Sequence, residues 1–387
     1  ILQSDAKKWF PATVIHADDT YASRIRIRGD QSVHWLNKKK SWRLSFPKDA
    51  LFQRRRSINL IVPTDKMIEV EEAANRIGRG LGLLIPDSGF MWVRQNRVDM
   101  GLYFWLEQVD KYLLERLEYP EGEVFGGDDI GFERITYFEG ATDQPTVHDF
   151  NPAAYKTFIH KKGEVALGAQ KRWHDFLALL STKDPARIEA EIDHFLAIDQ
   201  FANWYAMMVV FGSSHAQSLD NLKWYYDPTV GLFEPILYDV QMYEDTPVQI
   251  DKGIYNKVVH SIMLSPSVQM ARARALHGIV TEVAVADTLE AVYRSIEPYL
   301  FRGVEPFDMD LPGVGRHSWA DMHYSHERRR EILDGNVANI KDWLASHRVF
   351  VEANYQAHDG GGLLAMEIFP QGVGSIALQE LAIAAIR

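Results

Sequence analysis

Cysteine is absent from the 387 residues, which excludes disulfide bonds, thiolate metal sites and cysteine nucleophiles. The sequence has no run of about eighteen apolar residues, so we predict no transmembrane segment. Positive charge is in deficit, with 42 Lys and Arg against 53 Asp and Glu and a net charge of -11, which argues against a nucleic-acid partner. The chain starts at Ile1 rather than Met, and we expect an exported or cell-surface protein whose targeting signal is not part of this sequence.

Several common catalytic and binding motifs are also missing. The sequence has no G-x-x-x-x-G-K-[ST] phosphate loop, no G-x-G-x-x-G after a strand pattern, no H-E-x-x-H, no G-x-S-x-G and no EF-hand loop. Asp321, His323 and His326 have metal-like spacing, but clustering of polar residues at the surface explains them more simply.

Apolar residues, by contrast, are plentiful. Hydrophobic residues make up 46% of the chain and aromatic residues 12%, enough for one large two-part domain or two closely joined domains. Basic and apolar residues alternate in Arg24–Arg28 and in Ser41–Phe46, which predicts two paired strands. Helical spacing of apolar residues predicts a helix over Glu69–Leu83, and Phe90–Val93 with Leu102–Leu106 predicts a hairpin.

The remainder of the chain is predicted to be mostly helical, so the fold class is α+β. Helices are predicted over Gln108–Leu117, Ala166–Leu180, Pro185–Leu196, Asp199–Val210, Val268–Tyr299 (with a break) and His326–His347. The aromatic residues Trp204, Tyr205, Trp224, Tyr225 and Tyr226 are predicted to pack in the core. We predict a β-rich unit over residues 1–118, a connecting segment over 119–151 and a helical unit over 152–350. The tail 351–387 either packs on this domain or begins a further module.

A hairpin pattern within residues 213–245 is the most informative local feature. Apolar and aromatic residues run from Leu222 to Tyr226, a turn follows, and Leu232–Asp239 resumes an extended pattern, which returns Asp239 towards Asn221. An amide and a carboxylate oxygen suit Mg²⁺, which commonly completes its octahedron with phosphate oxygens. In protein kinases an Asn and an Asp hold Mg²⁺ in this way, so the pattern favours phosphoryl transfer. The alternative is that the two residues only satisfy the turn.

Four segments, in the same order, resemble the CotH family of atypical protein kinases. They are RIRIRGDQSVHWLNKKKSWRLSF (24–46), INLIVPTDKMIEVEEAANRIGRGLGL (58–83), VDMGLYFWLEQVDKYLLER (98–116) and the hairpin with its N-x-x-x-Y-Y-x-P and E-P-I-x-x-D pattern. The resemblance covers roughly residues 20–245. It implies an atypical two-lobed kinase-like fold, with a β-rich N-lobe and a mostly helical C-lobe that bind ATP and Mg²⁺, or Mn²⁺, between them.

The resemblance also implies a set of metal ligands. Asp239 is the first choice and Asn221 the second, since its amide oxygen completes the shell without adding charge. Gln241 occupies the place where many relatives have a second Asp in the pattern D-x-D. An amide there still offers an oxygen, but it weakens a two-metal site.

The catalytic base is the point at which this sequence departs from the family pattern. Relatives have an Asp five residues before the Asn, where this chain has Ala216. One alternative is His215, because an unperturbed imidazole titrates near pH ~6.5 and suits neutral conditions. A second is Asp220 in a shifted loop. The third is a catalytically inactive chain.

Phosphate contacts are predicted to come from the first unit. Lys40 and Arg43 belong to the KK-x-(Y/W)-R block, and Arg28 opens the Arg-Gly turn. A guanidinium group can donate two parallel hydrogen bonds to phosphate oxygens. Glu107 is predicted to pair with one of these cations, although a structural role is the alternative. Lys38–Lys40 would replace a Lys that many relatives carry near residues 123–126.

These observations predict an ATP- and Mg²⁺-dependent enzyme that phosphorylates Ser or Thr hydroxyls on a surface or coat protein. An inactive nucleotide-binding or scaffold protein of the cell envelope is the alternative that Ala216 and Gln241 favour. A third hypothesis keeps the nucleotide but transfers its adenylyl group.

Overall fold

The computed structural model describes residues 7–29, 34, 39–127, 150–159, 164–213, 215–217, 221–242, 250, 256–300, 302–303 and 325–346. Strands predominate before residue 128 and helices after residue 163, so the predicted α+β class is confirmed. In the part of the chain described, no helix combines the length and the apolar character needed to cross a lipid bilayer.

The first sheet has six antiparallel strands in the order β1-β2-β3-β4-β6-β5. The strands are β1 (Phe10–His16), β2 (Asp19–Ile27), β3 (Trp42–Ser45), β4 (Ser57–Ile61), β5 (Ser88–Gln95) and β6 (Val98–Glu107). The predicted pairing of the first two basic segments is confirmed, with Arg24 opposite Ser45 and Arg26 opposite Arg43. The predicted hairpin is also confirmed as β5–β6.

The two faces of this sheet differ in chemistry because strand side chains alternate. One face carries Leu44 and Ile58, which pack in an apolar cluster with Phe46 and Tyr103. The opposite face is partly polar, since Arg43 donates from Nε to Asn59 Oδ1 at 2.8 Å. The same face also has an apolar part, where Ile61, Phe104 and Leu106 pack with Tyr238 from the second half of the chain.

Helix α1 (Val70–Gly80) follows β4 through a 3₁₀ turn at Pro63–Lys66. Its apolar residues Val70, Ala73, Ala74 and Ile77 enter the main core, as the predicted periodicity requires. The link between turn and helix is unusual, because Met67 and Ile68 have φ angles of 48° and 60°. Left-handed backbone is disfavoured for a β-branched residue, so this link must be held by its surroundings.

The second sheet has four strands in the order β10-β9-β7-β8. They are β7 (Glu123–Gly127), β8 (Tyr155–Thr157), β9 (Lys223–Asp227) and β10 (Leu232–Ile236). Strands β9 and β10 form the predicted hairpin, in which Leu232 lies opposite Asp227. The turn is stabilised by Asp227, whose Oδ1 accepts a hydrogen bond from Thr229 N at 2.7 Å.

All but the first of the remaining described helices contribute side chains to the largest apolar core. These remaining helices are α2 (Lys111–Arg116), α3 (Glu164–Ser181), α4 (Pro185–Glu191), α5 (Ile198–Val210), α6 (Lys257–Ile262), α7 (Pro266–Glu282), α8 (Val285–Ile296) and α9 (His326–Ser346). Trp173 of α3 lies 5.1 Å from Phe233, measured between ring centroids, and Trp204 and Trp224 are fully buried nearby. The predicted core role of the aromatic group is therefore confirmed for Trp204, Tyr205, Trp224 and Tyr225, whereas Tyr226 is only half-buried.

Candidate functional site

Asp239 lies three residues after β10 and is the centre of a buried polar cluster. Its carboxylate accepts hydrogen bonds from the Lys66 ammonium and, at 3.0 Å, from Gln241 Nε2, both on Oδ1. Its Oδ2 lies 3.1 Å from His215 Nε2. The backbone of Asp239 is left-handed, with φ of 59°, and its N–H donates to Glu71 Oε1 at 3.3 Å. Four side chains from four segments thus converge on one residue.

Asn221 is brought to the same cluster through His215. Its Nδ2 donates to the His215 carbonyl oxygen at 3.3 Å, while the His215 ring contacts Asp239. Both Asn221 and Asp239 are buried, with 8% of each residue exposed. The hairpin therefore returns Asp239 to the neighbourhood of Asn221, as its turn pattern suggested.

Lys66 and Glu71 are site residues that the sequence reasoning missed. The Lys66 Nζ lies 3.1 Å from Glu71 Oε2 and also bonds Asp239, and both side chains of this pair are almost fully buried. The 3₁₀ turn positions Lys66 and the first turn of α1 positions Glu71, five residues later and on the other side of the Met67–Ile68 link. A Lys just before a helix that begins with Val-Glu-Glu was the available signal, but this segment was interpreted only as a helix and as one of the four segments that resemble the family.

The charges of this cluster are mutually dependent. Burial alone would lower the pKa of Lys66, but Asp239 and Glu71 outweigh it and raise that pKa, so the ammonium form persists. Burial would raise the pKa of Asp239, but Lys66 and His215 hold it well below its usual value. Glu71 differs, since burial and the Asp239 carboxylate together raise its pKa to about 7 against the attraction of Lys66.

Tyr238 lies among three cations at the edge of the cluster. Arg28 Nη2 donates to its hydroxyl at 3.5 Å, and the Nζ atoms of Lys223 and Lys66 lie 4.0 and 5.6 Å from its ring centroid. Burial raises the pKa of Tyr238, but Arg28, Lys223 and Lys66 outweigh burial and lower it overall. The cluster therefore has a strongly positive side.

Arg28 is held in place by Asp65, the residue before Lys66. Arg28 Nη1 lies 3.6 Å from Asp65 Oδ2, and His34 Nδ1 lies 3.3 Å from the same oxygen. Burial would raise the pKa of Asp65, but His34, Lys66 and Arg28 lower it. Among the described residues, no acceptor reaches the buried Nε of Arg28.

The predicted partner of Glu107 is wrong. Glu107 accepts from Arg116 of α2, with Nε to Oε1 at 3.1 Å, and from the Asp87 backbone N–H at 3.2 Å. The strand register explains the error, because Glu107 lies opposite Ile58 and so on the other face of the sheet from Arg43. Glu107 is buried at the junction of β6 and α2 and is part of that structural pair.

Arg43 and Lys40 were also predicted to bind phosphate, and each has a contact with a residue of the first sheet. Arg43 remains on the polar face of the first sheet, bonded to Asn59. Lys40 is half-buried, and its carbonyl oxygen accepts from the Tyr103 hydroxyl at 3.0 Å. Asp220, Lys38, Asp321 and His323 lie outside the described residues.

The oxygen donors near Asp239 could supply only part of the coordination shell of a hard cation. Within the described ranges, no group of three or more His, Cys, Asp or Glu side chains could hold a metal ion. Asp239 and the Asn221 amide offer oxygens, and Mg²⁺ readily takes the rest of its shell from water and phosphate. Gln241 Nε2 donates to Asp239 Oδ1 and to the Asp65 carbonyl oxygen, 3.3 Å away, so its amide helps to orient the carboxylate.

Comparison with known families now identifies the chain's class. A family model described as CotH kinase protein matches residues 25–253, more than half of the sequence. The chain belongs to this family. It is 26% identical over 208 residues to the inner spore coat protein H of Bacillus subtilis (strain 168), a match that covers 52% of this chain and 54% of that protein. The chain thus spans about half the length of this curated relative. The cluster around Asp239 lies inside the matched region, whereas α8 and α9 of this CotH protein lie beyond it.

Proposed function

We propose that this CotH-family chain is an ATP- and Mg²⁺-dependent phosphotransferase, with Mn²⁺ as an alternative metal, that phosphorylates a Ser or Thr hydroxyl on a surface or envelope protein. The six-stranded sheet with α1 and the helical part would form the two lobes of a kinase-like fold. One observation carries the proposal: Asp239 is held by Lys66 and His215 beside the cation Arg28 in one buried cluster.

The chemistry of phosphoryl transfer explains why such a cluster is useful. The transition state spreads negative charge over the phosphoryl oxygens, so catalysis is mainly positioning and charge stabilisation. When bound, Mg²⁺ would neutralise part of that charge, with Asp239 and Asn221 as its protein ligands. Lys66, fixed by Glu71, and Arg28, fixed by Asp65, supply the remaining positive charge for the phosphate groups.

His215 is the best candidate among the described residues to orient the acceptor hydroxyl. Its Nε2 contacts Asp239 Oδ2, so the carboxylate fixes the orientation of the imidazole ring, and one third of the side chain is exposed. A loose transition state demands little proton abstraction before transfer, so an orienting imidazole suffices in place of the missing Asp.

Ala216 favours a second candidate function, a nucleotide-binding protein without catalysis. Ala216 is buried in the 3₁₀ turn His215–Gln217, and a methyl group cannot accept a proton or orient a hydroxyl. The cationic side of the cluster would still bind a triphosphate in such a protein.

Labelled ATP distinguishes these functions. The chain is incubated with Mg²⁺ or Mn²⁺ and with ATP labelled on the terminal phosphate or on the adenine side, and protein-bound label is measured. We expect only the label of the terminal phosphate to become protein-bound. Asp239→Asn should abolish this labelling. The control Asp175→Asn, in which Asp175 normally forms a surface pair with Lys171, should retain it. Adenine-side label would indicate adenylyl transfer instead. A melting shift with ATP but no label would indicate the non-catalytic function, and no shift would contradict nucleotide binding.

A further inference from the structure

Glu69, immediately before α1, has an unusual environment for a residue at a helix start. It is the N-cap of α1, yet its side chain forms no capping hydrogen bond, and the residue is completely buried. A buried carboxylate must be paired, so the partners of Glu69 determine what this position does.

Those partners come from α9, far along the chain. Arg329 donates from Nε to Glu69 Oε1 at 2.7 Å and from Nη2 to Oε2 at 2.9 Å, a two-pronged contact in which the side chains are 2% and 0% exposed. His326 adds a contact from Nδ1 to Oε1 at 2.8 Å. The rigid fork of an arginine fixes both the position and the orientation of a carboxylate.

A second carboxylate fixes His326 from the other side. Its Nε2 lies 2.7 Å from Glu290 Oε2 of α8, and its ring stacks on Tyr293 with centroids 3.8 Å apart and planes 2° apart. Hydrogen bonds from His326 and then Arg294 lower the pKa of Glu290 to about 2. Helices α1, α8 and α9 are thereby joined through Glu69. The surface position expected for His326 from the sequence is wrong.

The short backbone segment between Glu69 and Lys66 connects the contacts of Glu69 to the cluster around Asp239. Lys66 is separated from Glu69 only by Met67 and Ile68, both of which have left-handed φ angles. Ile68 also packs against Ile296 of α8. Disfavoured backbone persists only where the surroundings fix it at both ends, and here one end is Glu69 and the other is the Lys66 contact with Asp239.

We propose that Arg329 and His326 are positioning residues for phosphoryl transfer: they fix Glu69 and thereby hold the Met67–Ile68 link that aims Lys66 at Asp239 and places Glu71 beside it. This inference rests on the proposed function for its catalytic consequence. It assigns a role in the site to a helix outside the family-matched residues 25–253.

A matched pair of substitutions on one helix tests it. Arg329→Lys keeps the charge but removes the fork to Glu69. The control Arg328→Lys changes the preceding residue, which is 43% exposed and pairs at the surface with Glu331. The measurements are turnover of ATP labelled on its terminal phosphate, the KM for ATP, and amide hydrogen exchange over residues 63–72. We expect kcat to fall about tenfold or more in Arg329→Lys, with a smaller change in KM. Exchange over 63–72 should accelerate in that variant alone.

The outcomes separate the two proposals. Equal hydrogen exchange over residues 63–72 and equal kcat in the two variants would contradict the positioning role proposed for α9. The proposed phosphotransferase function would be unaffected by that result. If the wild-type chain transfers no phosphate, the proposed function fails, and the exchange comparison still decides whether α9 holds the link. Should Arg329→Lys not fold, Glu69→Gln/Arg329→Met removes both buried charges together, a change that proteins often tolerate, and the same readouts apply to it.

Discussion

Lys66 and Asp239 are 173 residues apart in the sequence, yet the Lys66 ammonium bonds the Asp239 carboxylate directly inside the protein. Glu71 binds the same ammonium from the other side. One cation thus contacts two buried carboxylates and joins the segment before α1 to the segment after β10.

Replacing Lys66 by methionine should therefore affect both activity and stability. Transfer of the terminal phosphate should fall by at least about 10²-fold, because a fixed positive charge at the phosphates is lost. The free energy of unfolding should fall by about 3–5 kcal/mol, since Asp239 and Glu71 lose their buried counter-charge. Urea unfolding and the labelled-ATP assay measure the two effects. Lys171→Met, which removes an exposed ammonium, is the control, and a Lys66→Met variant as active as this control would contradict the assignment.

An additional carboxylate beside Asp239 should change how the melting temperature of the protein responds to divalent metal. In Gln241→Asp, a charge is placed next to Asp239 in a buried site, so without divalent ions the melting temperature should fall below that of the wild type. Mn²⁺ or Mg²⁺ should raise the melting temperature by more in the variant than in the wild type, because carboxylates bind hard cations. Gln241→Asn retains the amide and is the control. An equal metal-induced shift in Gln241→Asp and wild type would argue against a cation beside Asp239.

The hairpin that carries Asp239 should make stability pH-dependent through Glu234. Burial, with a smaller contribution from Asp227, raises the pKa of Glu234 to about 7 from the usual 4.5. The folded state therefore binds the Glu234 proton more tightly than the unfolded state does. The resulting contribution of Glu234 to the free energy of unfolding is fully present below pH 4.5 and is lost as the pH rises through about 7. The free energy of unfolding of Glu234→Gln should equal that of the wild type near pH ~4. Near pH ~8.5 it should be higher than that of the wild type by about 1–2 kcal/mol, a value reduced to allow for the partial exposure of Glu234.

Urea midpoints across this pH range measure the difference. Glu115→Gln on the exposed surface of α2 controls for the loss of an acidic side chain. A constant difference between Glu234→Gln and wild type at every pH would show that the buried carboxyl does not titrate as expected.

Gly101 of β6 should tolerate no side chain. Its φ is 79°, and a Cβ at this position would lie 2.1 Å from the Arg302 carbonyl oxygen, in the segment that follows α8. Gly101→Ala should lower the free energy of unfolding by at least about 2 kcal/mol, because steric overlap adds to backbone strain. Gly278→Ala in α7 meets nothing within 4 Å and should instead raise it by about 0.5–1 kcal/mol. Thermal unfolding of both variants checks this contrast, and similar melting temperatures would contradict it.

Local patterns predicted the elements whose residues specify them directly. Alternation in Arg24–Arg28 predicted a strand, the spacing of Val70, Ala73 and Ile77 predicted α1, and the Asp-Pro turn predicted the β9–β10 hairpin. Strand β7 was missed, since Glu123–Gly127 is short and ends in two glycines, which are poor strand formers.

The site was only partly predictable for a different physical reason. The hairpin pattern placed Asn221 and Asp239 together because a turn is a local constraint. The contacts of Lys66 with Asp239 and of Glu69 with Arg329 join distant segments, and each depends on the left-handed Met67–Ile68 link that no propensity favours. The partner of Glu107 depended on strand register, and a shift by one residue reverses the face.

The left-handed backbone at Asp239 also decides which replacements can be interpreted at that position. Asparagine accepts this region of φ and ψ much as aspartate does, and glycine accepts it freely, whereas alanine and branched side chains distort the turn itself. An alanine scan would therefore confuse a distorted main chain with a missing ligand. Asn and Gly are therefore the replacements at position 239 that remove the carboxylate without distorting the turn.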